Sequence, residues 1–306
     1  MWPEDENGII RRRSALRVGF TDTDLKLALR RGELTLVDRG VCVRTARLPQ
    51  HDRRDALYRL KVVAAARESD IPLSHESAAA VHGLDLLHPD RRTVHFATSR
   101  SGGGRRMATR HIHSGLPDDA VVEVDGIAVS AVARTAVDVA AAGTFEQALA
   151  VLDSARRAGV SAGEIADELN RHRIRGRAVV AAALRHCDPR SANAGESWGR
   201  AQIITAGLPI PELQWRFELR DGSVAFTDYL WGRCLVGEFD GLRKYGRDLR
   251  PGQSVEQAVV AEKLREDALR DHVADVARWT VSELRDGTMI PMLRRRMARA
   301  GLTVTG

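Results

Sequence analysis

Apolar positions along this chain recur with two spacings, about 3.6 residues and about two, and each change of spacing marks an element. GIIRRRSALRVG, residues 8–19, reads as a short amphipathic helix closed by Gly19. TDTDLKLALRRG, residues 21–32, predicts a second helix. Thr21 is a good N-cap, acids fill the first turn, bases fill the last, and Gly32 suits the C′ position. ELTLVDRGVCVRT then alternates as a strand, a tight turn and a strand. Helix, turn, helix and hairpin is the order of a winged helix, which lays its second helix in the major groove of DNA. A small helical cap with a hairpin produces the same pattern.

Residues 51–189 read as a mixed α/β middle. DALYRLKVVAAARESD and LSHESAAAVHGLDLL predict helices, the second capped by Ser74. RTVHFATS, ATRHIHSG, AVVEVDG and IAVSAV predict strands. ARTAVDVAAAG, FEQALAVLDSARRAG, SAGEIADELNRH and GRAVVAAALRHC predict further helices. DPRSANAGES, residues 188–197, is turn-rich and suits a domain boundary. Beyond it come a helix from Glu196 to Ala206, then strands at ELQWRFEL, VAFTDYL and CLVGEFD. A polar loop leads to a helix at VEQAVVAEKLREDALRD, a strand at DVARWT and a last helical stretch from VSELRDG to a basic tail. The expected fold class is therefore α/β in three parts, divided near residues 50 and 189.

FTDYLWGRCLVGEFDG, residues 226–241, sets three carboxylates into two apolar strands. If the hairpin turns about Gly232, residue 228 faces residue 236, and Asp228 and Glu238 are diagonal neighbours on one face. Asp240 shares that face by the strand's period of two. Glu196, near the start of the preceding helix, is expected over the same end of the sheet. Like charges this close repel unless a cation neutralises them, and Mg²⁺ or Mn²⁺ prefers such oxygen ligands. A metal held there polarises a phosphoryl oxygen and activates water for phosphodiester hydrolysis. Acids at strand ends that are solvated or paired with arginine give the same spacing.

Composition narrows the partners. The 306 residues carry a net charge of +6 with 43% hydrophobic residues, and only four of the 47 basic residues are lysines: Lys26, Lys61, Lys244 and Lys263. A basic balance favours a polyanionic partner, although arginine abundance alone is a weak signal. Cys42, Cys187 and Cys234 are odd in number and far apart, which argues against a disulfide scaffold or a zinc ribbon. The acidic start MWPEDENG lacks an apolar signal core, and no run approaches the about 18 apolar residues of a spanning helix, so a cytoplasmic location is expected.

The segments GESWGRAQIITAGLPIPELQW, FTDYLWGRCLVGEFDG, AEKLREDALRD and VARWT together resemble the very-short-patch-repair (Vsr)-like endonuclease domains of the PD-(D/E)XK superfamily. The resemblance covers residues 190 to about 285 and implies a restriction-endonuclease-like fold, a central mixed sheet flanked by helices. It implies that Glu196, Asp228 and Glu238 hold the metal, with Gln214 at a supporting polar position. The superfamily's lysine would fall where this chain has Asp240; the Vsr-like family often has an acid there. Lys244 and Lys263 are the candidates to replace that lysine. GIIRRRSALRVGFTDTDLKLALRRGELTLVDRGVCV is similar to the winged-helix domain of AbiEi-type antitoxins, and LSHESAAAVHGL and IAVSAVARTAVDVA resemble segments that join such a domain to a Vsr-like one. That resemblance implies DNA contacts by Lys26, Arg30, Arg31 and Arg39, and a nucleotidyltransferase toxin as partner. Two functions follow: a metal-dependent DNA endonuclease, or a non-enzymatic antitoxin and transcriptional regulator carrying a degenerate nuclease fold.

Other motifs read as structural. His75 and His82 on one helix, and His111 and His113 on one strand face, lack the cysteine partners or HExxH spacing of common zinc sites and are expected to cap or fill the core. SRSGGGRR lacks the GK[ST] of a phosphate loop and reads as a tip between strands.

Overall fold

A computed structural model describes residues 1–100, 102–171, 173–219, 222–241 and 273–303, and the chain divides into two units, Met1–Val139 and Ala140–Gly306. The architecture is mixed α/β, with several small sheets among helices. No helix among the described residues is long and apolar enough to cross a membrane. The three cysteines are free.

The first unit opens with β1 (Ile9–Arg11) and α1 (Arg12–Arg17), so the stretch expected as one helix begins as a strand. Two consecutive isoleucines dictate this. Ile10 packs with Ala15, Leu25, Ala28 and Leu34, whereas Ile9 packs with Val41, Tyr58, Val62 and Phe96. Extended backbone sends neighbouring side chains to opposite faces, which a helix cannot do. α2 (Asp22–Arg30) follows as expected, opened by a capping box in which Thr21 and Asp24 bond each other's backbone N–H. β2 (Leu34–Asp38) and β3 (Val41–Arg44) complete an antiparallel sheet in the order β1-β3-β2. α3 (Arg53–Ala66) supplies Tyr58 and Val62 to the core shared with Ile9 and Val41. The division expected near residue 50 therefore falls inside one unit, because the small sheet buries residues on both faces.

α4 (His75–His82) follows, then β4 (Val94–Thr98), β5 (Arg105–Arg106) and β6 (Arg110–Ser114) in the sheet order β4-β6-β5. β4 and β6 run parallel, so the glycine-rich stretch connects them through β5 rather than as a simple hairpin. β7 (Val121–Val124) and β8 (Ile127–Ser130) form a hairpin, and buried Leu73 bridges both Phe96 and Val129. α5 (Val132–Ala142) leads across the division.

In the second unit, α6 (Phe145–Arg157), α7 (Ala162–Arg171) and α8 (Arg177–Leu184) precede α9 (Ala194–Thr205). α9 starts two residues earlier than expected because the Asn193 side chain accepts from the N–H groups of Gly195 and Glu196. β9 (Glu212–Glu218), β10 (Val224–Trp231), β11 (Leu235–Asp240) and β12 (Asp275–Thr280) form a sheet in the order β12-β11-β10-β9. β11 and β12 are parallel; the other pairs are antiparallel. α10 (Val281–Arg285) and α11 (Met289–Arg299) close the unit. The helix expected at residues 255–271 and the loop before it lie outside the described residues.

α9 meets the sheet through glycine. A methyl group added at Gly195 would lie 2.2 Å from the Phe239 ring, and one at Gly199 would lie 3.0 Å from the Tyr229 hydroxyl and 3.1 Å from Trp279 Nε1. Its other side is pinned by a buried ion pair. Both oxygens of Asp153 on α6 lie 2.6 Å from Arg200 Nη2 on α9, and Asp153 also accepts from Ser197 Oγ at 2.7 Å and from the Asp188 N–H at 2.8 Å. Asp153 is 0% and Arg200 3% exposed, so these bonds replace water that the two charges give up, although Arg200 Nε is buried without a partner. Burial pushes the Asp153 carboxyl up, and Arg200 pulls it back. The same bonds tie residues 188–200 to α6, which places the turn near residue 189 within the second unit.

Asp153→Ala leaves a buried guanidinium without its carboxylate and is expected to cost about 3–5 kcal/mol, read by urea unfolding; a loss within error would show that the pair is not needed. Glu76, on α4, accepts from the Asp90 N–H at 3.0 Å, but burial pushes its carboxyl from 4.5 to about 7. The folded chain then retains a proton that the unfolded chain releases, so stability present below pH 4.5 is lost as pH rises to about 7. Glu76→Gln is expected to flatten the unfolding free energy over that window.

Candidate functional site

The acids of the second unit are organised by the register of one sheet. Gly232 and Arg233 both take positive φ, +53° and +58°, and Trp231 pairs with Leu235 across a three-residue turn. The turn is thus centred on Arg233. A centre on Gly232 would instead pair Leu230 with Cys234, whereas Leu230 pairs with Val236. The ladder pairs Trp231 with Leu235, Leu230 with Val236 and Tyr229 with Gly237, and the same register continued one step places Asp228 across from Glu238. The two acids are therefore direct neighbours across the strands, where diagonal neighbours were expected.

The row extends over the whole sheet. On β9 the pairing of Thr227 with Trp215 and of Tyr229 with Leu213 brackets Gln214 opposite Asp228, and Gln214 takes φ of +50°, a local distortion of that strand. On the other side Glu238 pairs with Arg278 of β12. Gln214, Asp228, Glu238 and Arg278 thus cross β9, β10, β11 and β12 in one line. Glu238 is 1% exposed, so its charge is deeply desolvated. Asp228 accepts from the Phe239 N–H through Oδ2 at 2.7 Å. Asp240 lies two pairs further along, opposite Thr280, with Oδ2 3.9 Å from Arg278 Nη1.

Glu196 approaches from the first turn of α9. It accepts from the Ala192 N–H and from Asn193 Nδ2, each at 2.7 Å, and from Gln214 Nε2 at 3.4 Å. Its backbone carbonyl accepts from the Tyr229 hydroxyl at 2.6 Å. Burial, reinforced by the Glu196 and Asp228 charges, holds that phenol well above its ordinary range, so it remains a donor. Gln214 therefore links the Glu196 corner to the acid row. Among the described residues, the ligand atoms of Glu196, Asp228 and Glu238 do not form a group of three within 4.8 Å of one another. Lys244 and Lys263 lie outside the described residues. The cation that the row does contain is Arg278, missed in the sequence although it interrupts the apolar strand VARWT.

In the first unit, Lys26, Arg30 and Arg31 are exposed at the C-terminal half of α2, and Arg39 is exposed at the turn between β2 and β3. Lys26 and Arg30 share a helix face by their i, i+4 spacing. Arg31 Nη1 lies 3.9 Å from Glu33 Oε1. The N-terminal half of α2 is acidic, with Asp22 held by a two-point bond from Arg12 at 2.6 and 2.7 Å. The basic surface of the helix is therefore its second half.

A second cluster was not foreseen. His95, His111 and His113 each offer a ring nitrogen within 4.8 Å of the others, and His75 stacks on His113 with centroids 3.6 Å apart. The signal was partial: the 111/113 alternation is visible, but bringing His95 to it requires the parallel register of β4 with β6.

No family model matches the chain. Two relatives from Mycobacterium tuberculosis strains, Uncharacterized protein MT2308 and Uncharacterized protein Rv2248, are each 33% identical over 171 residues, 55% of this chain and 57% of the relative. The chain thus spans about half the length of the curated relatives it matches. The crystal structure of RV2827C protein from Mycobacterium tuberculosis matches at 14% identity with a TM-score of 0.36, covering 67% of this chain and 78% of that one.

Asp228 serves the fold whatever else it does, because its carboxylate satisfies the Phe239 N–H. Asp228→Ala is expected to lose about 1–3 kcal/mol in urea unfolding, while Asp228→Asn keeps an acceptor oxygen and loses less. Equal losses in the two variants would contradict this role.

Proposed function

We propose that this chain is a DNA-binding protein whose second unit hydrolyses DNA phosphodiesters with Mg²⁺ or Mn²⁺. In this reading residues 1–50 are a winged helix, residues 51–189 an AbiEi-like connector, and residues 190–306 a Vsr-like nuclease domain acting in the cytoplasm. The observation that carries it is the register of β10 with β11, which, continued one step past Tyr229–Gly237, sets half-buried Asp228 across from buried Glu238.

Two carboxylates at that spacing repel, and a hard divalent cation relieves the repulsion while supplying the charge that phosphoryl transfer needs. Asp228 and Glu238 would bind the ion, and Asp240 lies two residues along β11 from Glu238, beside the row. Gln214 and Glu196 would orient water or phosphate beside it. Arg278, near Asp240, offers a fixed positive charge toward a scissile phosphate but is no proton acceptor at neutral pH. Assistance by Lys244 or Lys263 remains part of the proposal from the sequence resemblance. Lys26, Arg30, Arg31 and Arg39 would hold the duplex through its phosphates.

The non-enzymatic alternative is supported by the hydrogen bonds that already occupy Glu196 and Asp228. In it the acids are structural, and the chain binds DNA and a nucleotidyltransferase toxin.

One experiment separates the readings. Plasmid and linear duplexes are incubated with the protein and Mg²⁺ or Mn²⁺, and binding is measured in parallel across salt concentrations. Cleavage by wild type that falls at least a hundredfold in Asp228→Asn and Glu238→Gln, with binding intact, is the expected result. Joint replacement of Lys26, Arg30 and Arg31 by alanine is expected to weaken binding and lower its salt slope by about 3. DNA left intact by wild type and variants alike overturns the nuclease and leaves the binding protein; unchanged binding in the triple variant overturns that as well.

A further inference from the structure

We propose that His95, His111 and His113 form a zinc site in the first unit, bound through one ring nitrogen of each histidine and completed by a ligand from solvent. This inference is independent of the nuclease reading, which concerns oxygen ligands on the other unit.

The backbone sets the site before any metal is considered. β4 and β6 are parallel, and their register pairs His95 with His111 and Ala97 with His113. His111 and His113 are two apart on β6, so they share the face on which His95 stands. His95 Nδ1 and His113 Nε2 lie 2.9 Å apart, close enough to share one proton between two lone pairs. The ring centroids of His111 and His113 are 3.8 Å apart, and a nitrogen of His111 falls within 4.8 Å of the other two. Two zinc–nitrogen bonds at a tetrahedral angle span about 3.3 Å, so the closest pair opens by only about 0.4 Å to admit the ion.

The surroundings fit imidazole ligation. Burial holds His95 down to about 4 and His113 down to about 3, with neighbouring imidazoles adding to the effect, so both rings are neutral at pH 7 as ligands must be. His75 covers His113 on one side, its own Nδ1 is engaged by Ser74 Oγ at 3.1 Å, and its backbone is held at φ of +50°, uncommon for a residue with a side chain. Asp138 Oδ2 lies 3.9 Å from His75 Nδ1 and is bonded by Arg134 Nε at 2.8 Å. The backbone of His95 is also fixed, its N–H donating to Ser77 Oγ at 2.8 Å and its carbonyl accepting from the Ser74 N–H at 3.0 Å. A wall of neutral rings is a poor way to fill a core, since each ring brings a lone pair that needs a donor. One cation satisfies three of them together. All three ligands are nitrogens, which favours zinc and later first-row ions over Mg²⁺, Ca²⁺ or Mn²⁺. Three histidines leave one tetrahedral position for water, and the half-buried cluster is open enough to supply it.

The full chain, stripped with a chelator, is titrated with Zn²⁺ by calorimetry and with Co²⁺ by visible absorption. One equivalent of each is expected, with the Co²⁺ spectrum showing the intense bands of a tetrahedral ion. His95→Gln, His111→Gln and His113→Gln are each expected to weaken zinc at least tenfold, while the double variant Asp228→Asn/Glu238→Gln binds it as wild type does. A large excess of Mg²⁺ is expected not to displace it. Because His113 is stacked between two rings, its variant is checked by circular dichroism; if it does not fold, His111→Gln, in the least buried of the three rings, decides. Absence of saturable binding by wild type, binding that survives replacement of His111, or binding lost with the two carboxylates overturns the proposal.

Discussion

The second unit depends on the ion pair between Asp153 and Arg200. Each charge is removed from water, and neither is tolerable there without the other. The pair fixes α9 against α6, Ser197 and the Asp188 N–H add to it from the same segment, and Gly195 and Gly199 let the opposite side of α9 approach Phe239, Tyr229 and Trp279. The position of Glu196 follows from these constraints. Its carboxylate closes the first turn of the helix, its carbonyl takes the Tyr229 hydroxyl, and Gln214 reaches it from β9. A helix held less firmly would not deliver a carboxylate to the edge of the acid row.

The sheet imposes the second constraint. A line of Gln, Asp, Glu and Arg across four strands is costly in an interior, and each member is tied to the backbone register that places it. Asp228 shows how structure and chemistry overlap at one residue, because the carboxylate that would hold a cation also completes the hydrogen bonding of Phe239. Arg278 plays a comparable double part. It offsets acid charge at the row's end, and the same charge would face an incoming phosphate.

Much of the fold was legible in the sequence, and the errors have identifiable causes. Period-two and helical spacing located α2 to α9 and most strands, since most bury one face; side-chain caps open α2, α6 and α9, whereas Ser74 makes no cap bond to α4. The failure at Ile9 and Ile10 came from burial on both faces, which local periodicity cannot distinguish from a helix start. The turn at Gly232 was placed correctly but centred one residue early, and that single step changed Asp228 and Glu238 from diagonal to direct neighbours. The divisions expected near residues 50 and 189 rest on element order and a turn-rich stretch, whereas a shared core and the Asp153 network run across both points. The histidine cluster was invisible for a related reason: it unites residues from two strands and a helix, and parallel pairing leaves no short-range signature. The basic face of α2, by contrast, needed only i, i+4 arithmetic.

The central claim is that Asp228 and Glu238 are neighbours because they share a divalent cation. Anomalous scattering from crystals of the full chain soaked in Mn²⁺ tests this most directly. The account predicts a peak within coordination distance of both carboxylates, absent in Asp228→Asn crystals. A saturating soak that leaves no peak there, with both carboxylates in place, would contradict it.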